Sequence, residues 1–340
     1  IVALSLAVLI RPGASSGRIS AAECREDDLF GGIRAHARRI ILIYLGLTAF
    51  GVLLLVLVKV SPWNSLVHTL AGVSTGGFSS LSNSLADIEG WGRRGAVMFV
   101  SFSGAVCLPL YYRLARRQGR DLITDTEFHM LGVLSLVISG LLFAGLFWQR
   151  GLDWLGAAGH ALVMGFSAQT TTGFSSLPSS DLPASGKIVL ILSMFIGGSL
   201  GSTAGGIKII RLLVVLRLLQ DLFRQTTRPE HAVVQPRLRG KILKADMAVD
   251  ALLVIFLFVL VNVGGWVAFL VAGYDPLDSL FDVVSATGTV GLSTGVTSTD
   301  LPTWLKALLC FNMTAGRVEV LALLVLVYPR TWFGRRKEPL

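Results

Sequence analysis

The sequence predicts an all-α integral membrane protein built from tandem repeats of two spans joined by a loop that re-enters the membrane. Three observations predict it. Apolar runs without charge recur at bilayer length, basic residues collect in alternate connecting segments, and a Gly/Thr/Ser string follows a half-length apolar stretch three times. The chain of 340 residues is 53% hydrophobic and only 15% charged, with a mean hydropathy of +0.68. Soluble domains carry about 25% charged residues. This balance excludes an ordinary soluble enzyme, a nucleic-acid binder and a disordered chain. The net charge of +9 therefore belongs to the face of a membrane protein that meets anionic lipid.

A helix crosses the hydrocarbon core in about 20 residues. Six runs fit: 40–58, 97–112 (extending through 114), 130–148, 188–207, 251–274 and 307–329, the last holding Arg317 and Glu319. Residues 1–10, IVALSLAVLI, read as the end of a further span. Segments 11–39, 113–129, 208–250 and 329–340 carry six, four, nine and four Lys or Arg, against three, two and one in 59–94, 149–187 and 273–306. The positive-inside rule makes the first set cytoplasmic and the second external.

Each external segment begins with a short apolar stretch: 66–73 before STGGFSS (74–80), 155–169 before TTTGFSS (170–176), and 280–288 before TVGLSTG (289–295). Gly77, Gly173 and Gly291 align at spacings of 96 and 118 residues, a tandem duplication too long for a solenoid. The stretches are too short to cross the membrane but suit helices that enter from outside and stop midway. Such a helix aims its negative end at the membrane centre, where it favours a cation. Extended backbone at that depth is tolerated only in a protein-lined or watery cavity, where its carbonyls replace a cation's hydration shell. The candidate filter residues are Ser74, Thr75, Gly76 and Gly77, then Thr170, Thr171, Thr172 and Gly173, then Gly288, Thr289, Val290 and Gly291.

The string GGSLGSTAGG at 197–206 interrupts the fifth run. Glycine costs about 1 kcal/mol per residue in a helix interior, so Gly197, Gly198, Gly201, Gly205 and Gly206, with Ser202 and Thr203, predict a break at membrane depth. The alternative is a small-residue packing face on an unbroken helix, since Gly197, Gly201 and Gly205 also have GxxxG spacing. Arg317 is an intramembrane charge and a functional candidate for that reason. Glu319, two positions on, lies on another helix face. His68 and His160 read as buried packing or hydrogen-bonding groups. Asp282 reads either as a cation-concentrating charge at the external mouth or as a helix-end charge. Cys24, Cys107 and Cys310 are too scattered for a disulfide framework or metal site. No catalytic set, cofactor motif or metal-ligand cluster is present in the sequence.

The motifs VSTGGFSS (73–80), TTTGFSS (170–176), FIGGSLGSTAGGIKIIR (195–211), GTVGLSTG (288–295) and TAGRVEVL (314–321) resemble those of the Trk/Ktr/HKT superfamily of potassium transporters, most closely the bacterial Trk and Ktr membrane subunits. The resemblance implies four repeats around a pseudo-fourfold pore, of which three are complete here. It assigns 1–10 to the end of a span from a missing first repeat, 11–39 to a cytoplasmic linker and 40–114 to repeat two. It assigns 115–129 to a linker, 130–217 to repeat three, 218–248 to a basic linker, 249–329 to repeat four and 330–340 to a cytoplasmic tail. By the same resemblance, 197–206 is an intramembrane gating loop with Arg317 beside it, and potassium is the transported ion. A homodimer in the bacterial inner membrane is implied too, with a cytosolic nucleotide-binding regulatory ring on the face that carries Arg217, Arg224, Arg228, Arg237, Arg239, Lys241 and Lys244. The alternatives are sodium transport by the same fold, since the first filter is not in the sequence, and the ion-conducting subunit of an ATP-driven pump.

Overall fold

The computed structural model describes residues 33–115, 125–225, 237–238, 241–243 and 245–318. Three units of the same plan follow one another. The first has a long helix α1 (Ile33–Leu57), a short helix α2 (Pro62–Val73), a loop, and a return made by α3 (Trp91–Ala105) and α4 (Leu108–Ala115). The second has α5 (Thr126–Arg150), α6 (Trp154–Gln169), a loop and α7 (Ala184–Ile196), followed after a non-helical stretch by α8 (Ile209–Gln225). The third has α9 (Ala245–Val271), α10 (Pro276–Thr287), a loop and α11 (Thr303–Val318).

Among the described residues three helices are long and apolar enough to cross a membrane, and a fourth if α3 and α4 count as one span. Their exposed faces are apolar, as with Leu42, Leu45, Phe50 and Leu53 of α1 and Phe256 and Leu260 of α9. Buried positions hold many hydroxyls instead, such as Ser65, Ser135, Ser139 and Ser193. That inversion suits a hydrocarbon solvent outside and a polar centre inside. Trp63, Trp148, Trp154 and Trp304 are exposed at helix ends on the side where the short helices begin, which is where indole rings settle at a membrane interface.

The short helices start where their sequences dictate. Asp275 accepts from the N–H groups of Leu277 and Asp278, and Pro276 takes a first-turn position that needs no donor. Asp153 caps α6 through Gly156 N, and Pro62 opens α2. Neighbouring units are locked by a Lys187–Asp278 ion pair at 2.5 Å and by a shared core that includes Met164, Met194, Phe281 and Val290.

Several boundaries differ from the sequence reading. Helices α1, α5 and α9 begin four to seven residues before their uncharged runs, and α8 continues past 217 into the assigned linker. Hydropathy marks the bilayer, whereas helices run on past it: Arg38, Arg39 and Arg224 are good helix formers, and Glu127 and Asp246 are acidic residues favoured in a first turn. The run 97–114 is not one straight span: it bends by 95° between α3 and α4. Pro109 lies in the first turn of α4, where its missing N–H and the restriction on the residue before it end the preceding helix. A two-residue antiparallel hairpin, β1 (Arg237–Leu238) with β2 (Lys241–Ile242), lies in the basic linker of a chain read as all-α. Residues 1–32, Arg228, Arg239, Lys244, Glu319 and the tail 330–340 lie outside the described residues.

Candidate functional site

The three short helices end in the same way. The N–H of Thr75 donates to Gly72 O at 3.0 Å and that of Gly76 to Ala71 O at 2.7 Å. Thr171 and Thr172 repeat the pair with Ala168 O and Ser167 O, and Thr289 and Val290 repeat it with Ala286 O and Ser285 O. This is the Schellman closure, whose turning residue is left-handed and is normally glycine. Here it is threonine each time: Thr75, Thr171 and Thr289 have φ of 51°, 53° and 54°. A β-branched residue in that region is a strained exception that its surroundings must enforce. Two residues on, Gly77, Gly173 and Gly291 also have positive φ, at 66°, 91° and 90°.

The strands that follow abut one another in an arc. A Cβ added at Gly77 would overlap Thr172 O, and one added at Gly173 would overlap Val290 O. At Gly291 no described residue lies within 4 Å of such a Cβ, so the arc formed by the described residues is open on that side. Glycine is required at the two closed contacts because backbone meets backbone there.

Between α7 and α8 the chain is non-helical, with positive φ at Gly197, Gly201, Gly206 and Lys208. The unbroken packing helix is therefore excluded. The loop lies against the Schellman turns. Thr171 Oγ1 accepts from Gly205 N–H at 2.7 Å, and Thr75 Oγ1 donates to Thr203 O at 2.8 Å. A Cβ on Gly205 would overlap Gly288 O and come within 2.5 Å of Thr289 Oγ1, a buried hydroxyl with no hydrogen-bond partner among the described residues. All three left-handed threonines thus face residues 203–205. The Thr203 hydroxyl lies 2.8 Å from Val73 O and 2.9 Å from Gly104 O. Arg317 donates to Thr203 O at 3.0 Å, which brings this intramembrane charge onto the loop. Lys208 Nζ donates to Ala204 O within the loop. Gly198 packs on Ala204, with a virtual Cβ contact of 2.5 Å, and Ser202 Oγ donates to Ser199 O at 2.6 Å.

Sequence reasoning missed three contributors. Gln169, the last residue of α6, donates from Nε2 to Gly197 O at 2.7 Å and accepts from Ser193 Oγ at 2.9 Å. The α3–α4 bend frees Gly104 O and Ala105 O, which accept from Thr203 N and Ser199 N, while Leu108 N donates to Gly201 O. Pro109 was the available signal for that bend. Glu127 Oε2 accepts from Leu200 N–H at 2.9 Å; a single acidic residue beside a basic linker carried no signal.

The outer strands are held by side chains on the short helices. His68 Nδ1 donates to Asn64 O at 2.8 Å, so its Nε2 accepts from Ser79 Oγ at 3.0 Å, and His160 Nδ1 pairs with Ser176 Oγ at 2.9 Å. Asp282 is neither a mouth charge nor a helix-end charge. It is buried within α10, and its carboxylate accepts from Ser293 Oγ, from Thr294 N and Oγ1, and from Thr297 N and Oγ1 at 2.7–3.1 Å. Ser74 and Thr170 fold back on their own helices through Ala71 O and Phe166 O. Cys107 is buried beside the bend, and Cys310 is exposed on α11.

A family model described as TrkH, cation transport protein, matches residues 122–331. An uncharacterized cation transporter of Methanocaldococcus jannaschii is 30% identical over 327 residues, which are 96% of this chain and 66% of that protein. The Trk system potassium uptake protein TrkI of Halomonas elongata is 29% identical over 89% of this chain and 62% of its own length. The chain thus spans less than two thirds of the length of both relatives. The crystal structure of the potassium transporter TrkH from Vibrio parahaemolyticus superposes with a TM-score of 0.82 at 24% identity, covering 98% of this chain and 70% of that one. This last likeness concerns the fold.

Proposed function

The chain belongs to the TrkH family of cation transport proteins, and on that premise we propose that it lines the pore of a Trk-type potassium uptake system. The observation that carries this is the arc of three matched strands, each launched from a helix C-terminus through a left-handed threonine, with one non-helical loop beneath them. The negative ends of α2, α6 and α10 favour a cation at the strands. Carbonyls of uncharged backbone replace its hydration shell without holding it as tightly as a carboxylate would. A fourth strand of the same kind fits the open side at Gly291. The loop 197–208 acts as the gate below, with Arg317 closing it through Thr203 O and opposing cations by its charge. In this reading the basic linkers face the cytoplasm, the protein is an inner-membrane homodimer, and a nucleotide-binding ring docks on the linker face. The relatives named as Trk system potassium uptake proteins support potassium as the ion.

The test is potassium flux through the complete transporter in proteoliposomes, with and without residues 201–204. Deletion of the gate raises flux per molecule and makes it independent of regulators. A well-expressed deletion with unchanged, still regulated flux overturns the gate.

A further inference from the structure

We infer that Glu127 is a positioning residue of the gate, the latch by which the start of α5 holds the loop at Leu200. The inference rests on the gating reading of 197–208. Glu127 is the second residue of α5 and is fully buried. A carboxylate in the first turn of a helix is favoured by the dipole, and here it is also buried against the non-helical loop of the same unit. Its Oε2 accepts the Leu200 N–H at 2.9 Å. Hydrogen bonds to a charged acceptor are about twice as strong as neutral ones. On either side of Leu200, Ser199 N and Gly201 O are held by Ala105 O and Leu108 N of the α3–α4 bend. The descending half of the loop is therefore fixed between the bend and the start of α5.

The geometry makes this a lever. Asp125 caps α5 through the N–H groups of Glu127 and Phe128 at 3.0 and 3.1 Å, so Glu127 moves with the helix start. The other end of α5 lies beside the loop after the second strand, where Arg150 comes within 3.9 Å of Asp181 in an exposed pair. A tilt about that end displaces the Glu127 end most. A hydrogen bond weakens steeply once its geometry is lost, so a shift of about 1 Å there releases Leu200.

The experiment compares Glu127→Ala, Glu127→Asp and Glu127→Gln with the 201–204 deletion, all in the complete transporter. Flux per molecule is measured at matched abundance, alongside the thermal midpoint of the purified protein. The latch predicts several-fold higher resting flux for Ala. It predicts the same direction for Asp, whose carboxylate is one methylene short of Leu200, and an intermediate value for Gln, which keeps an acceptor oxygen. Should the Ala variant not fold, Asp and Gln carry the same ordering. A purely structural role lowers the thermal midpoint and leaves flux per molecule at the wild-type value, and that result overturns the latch. If the loop deletion raises flux while the Glu127 variants do not, the latch alone fails. If the deletion too leaves flux unchanged, the gate itself falls and the latch with it.

Discussion

The filter loops and the gating loop both draw on Gly, Ser and Thr, yet they are anchored in opposite ways. Each filter turn is closed by bonds to its own helix, three and five residues back, as in Thr75 to Gly72 O and Gly76 to Ala71 O. The gating loop is closed by partners from every unit: Thr75 and Gly104 from the first, Thr171, Gln169 and Glu127 from the second, Arg317 from the third. Local closure gives a rigid element that is copied whole when a repeat duplicates. Distributed closure gives an element that exists once and responds to the relative movement of its neighbours. Thr75 and Thr171 join the two regimes, because their hydroxyls also bond residues of the loop.

The sharpest way to break this distinction is at a strand contact. Gly173→Ala sets a Cβ onto Val290 O at φ of 91°. It should cost the complete transporter at least about tenfold in potassium-over-sodium flux ratio, since left-handed strain alone is about 1–2 kcal/mol and backbone overlap adds to it. Gly291→Ala, with no contact among the described residues, tests whether the open side is filled in the complete protein: a loss equal to that of Gly173→Ala means that it is. Next in size is Thr171→Val, which leaves the buried Gly205 N–H without its acceptor. An unmet buried donor costs at least about 1 kcal/mol, so resting flux should rise several-fold, and Thr171→Ser should restore it. Arg317→Ala removes one donor to Thr203 O, which keeps its bond from Thr75. A smaller rise in resting flux is expected, checked by the same assay. Smallest is Asp282→Asn, which weakens a local clamp of five hydrogen bonds. The thermal midpoint should fall by a few degrees, at about 2–4 °C per kcal/mol for a chain of 150–250 residues and less for a longer one.

The same contrast explains what the sequence disclosed. The three strings around Gly77, Gly173 and Gly291 were legible because local closure leaves a local signature, and duplication repeats it. The break after Ile196 was legible from glycine density. Its partners were not, because Glu127, Gln169 and the Gly104–Ala105 carbonyls lie between 28 and 99 residues away from the atoms they bind. Periodicity and spacing carry no record of such contacts. Asp282 was misread for a related reason: its partners follow 11 to 15 residues later on a strand whose return path only the fold defines.

The 95° bend between α3 and α4 bears on the order in which the molecule assembles. Its exposed carbonyls at Gly104 and Ala105 have no use until residues 199–203 have been made and brought back beside them. Bringing together segments about a hundred residues apart carries a loop-closure entropy that local turns avoid, and contacts of that range form late. Helices and filter turns can therefore mature unit by unit, while the barrier across the pore becomes ordered only once its neighbours have docked. Until then each partner leaves backbone groups exposed in an apolar surrounding, which makes docking of the units and closure of the barrier a single cooperative step.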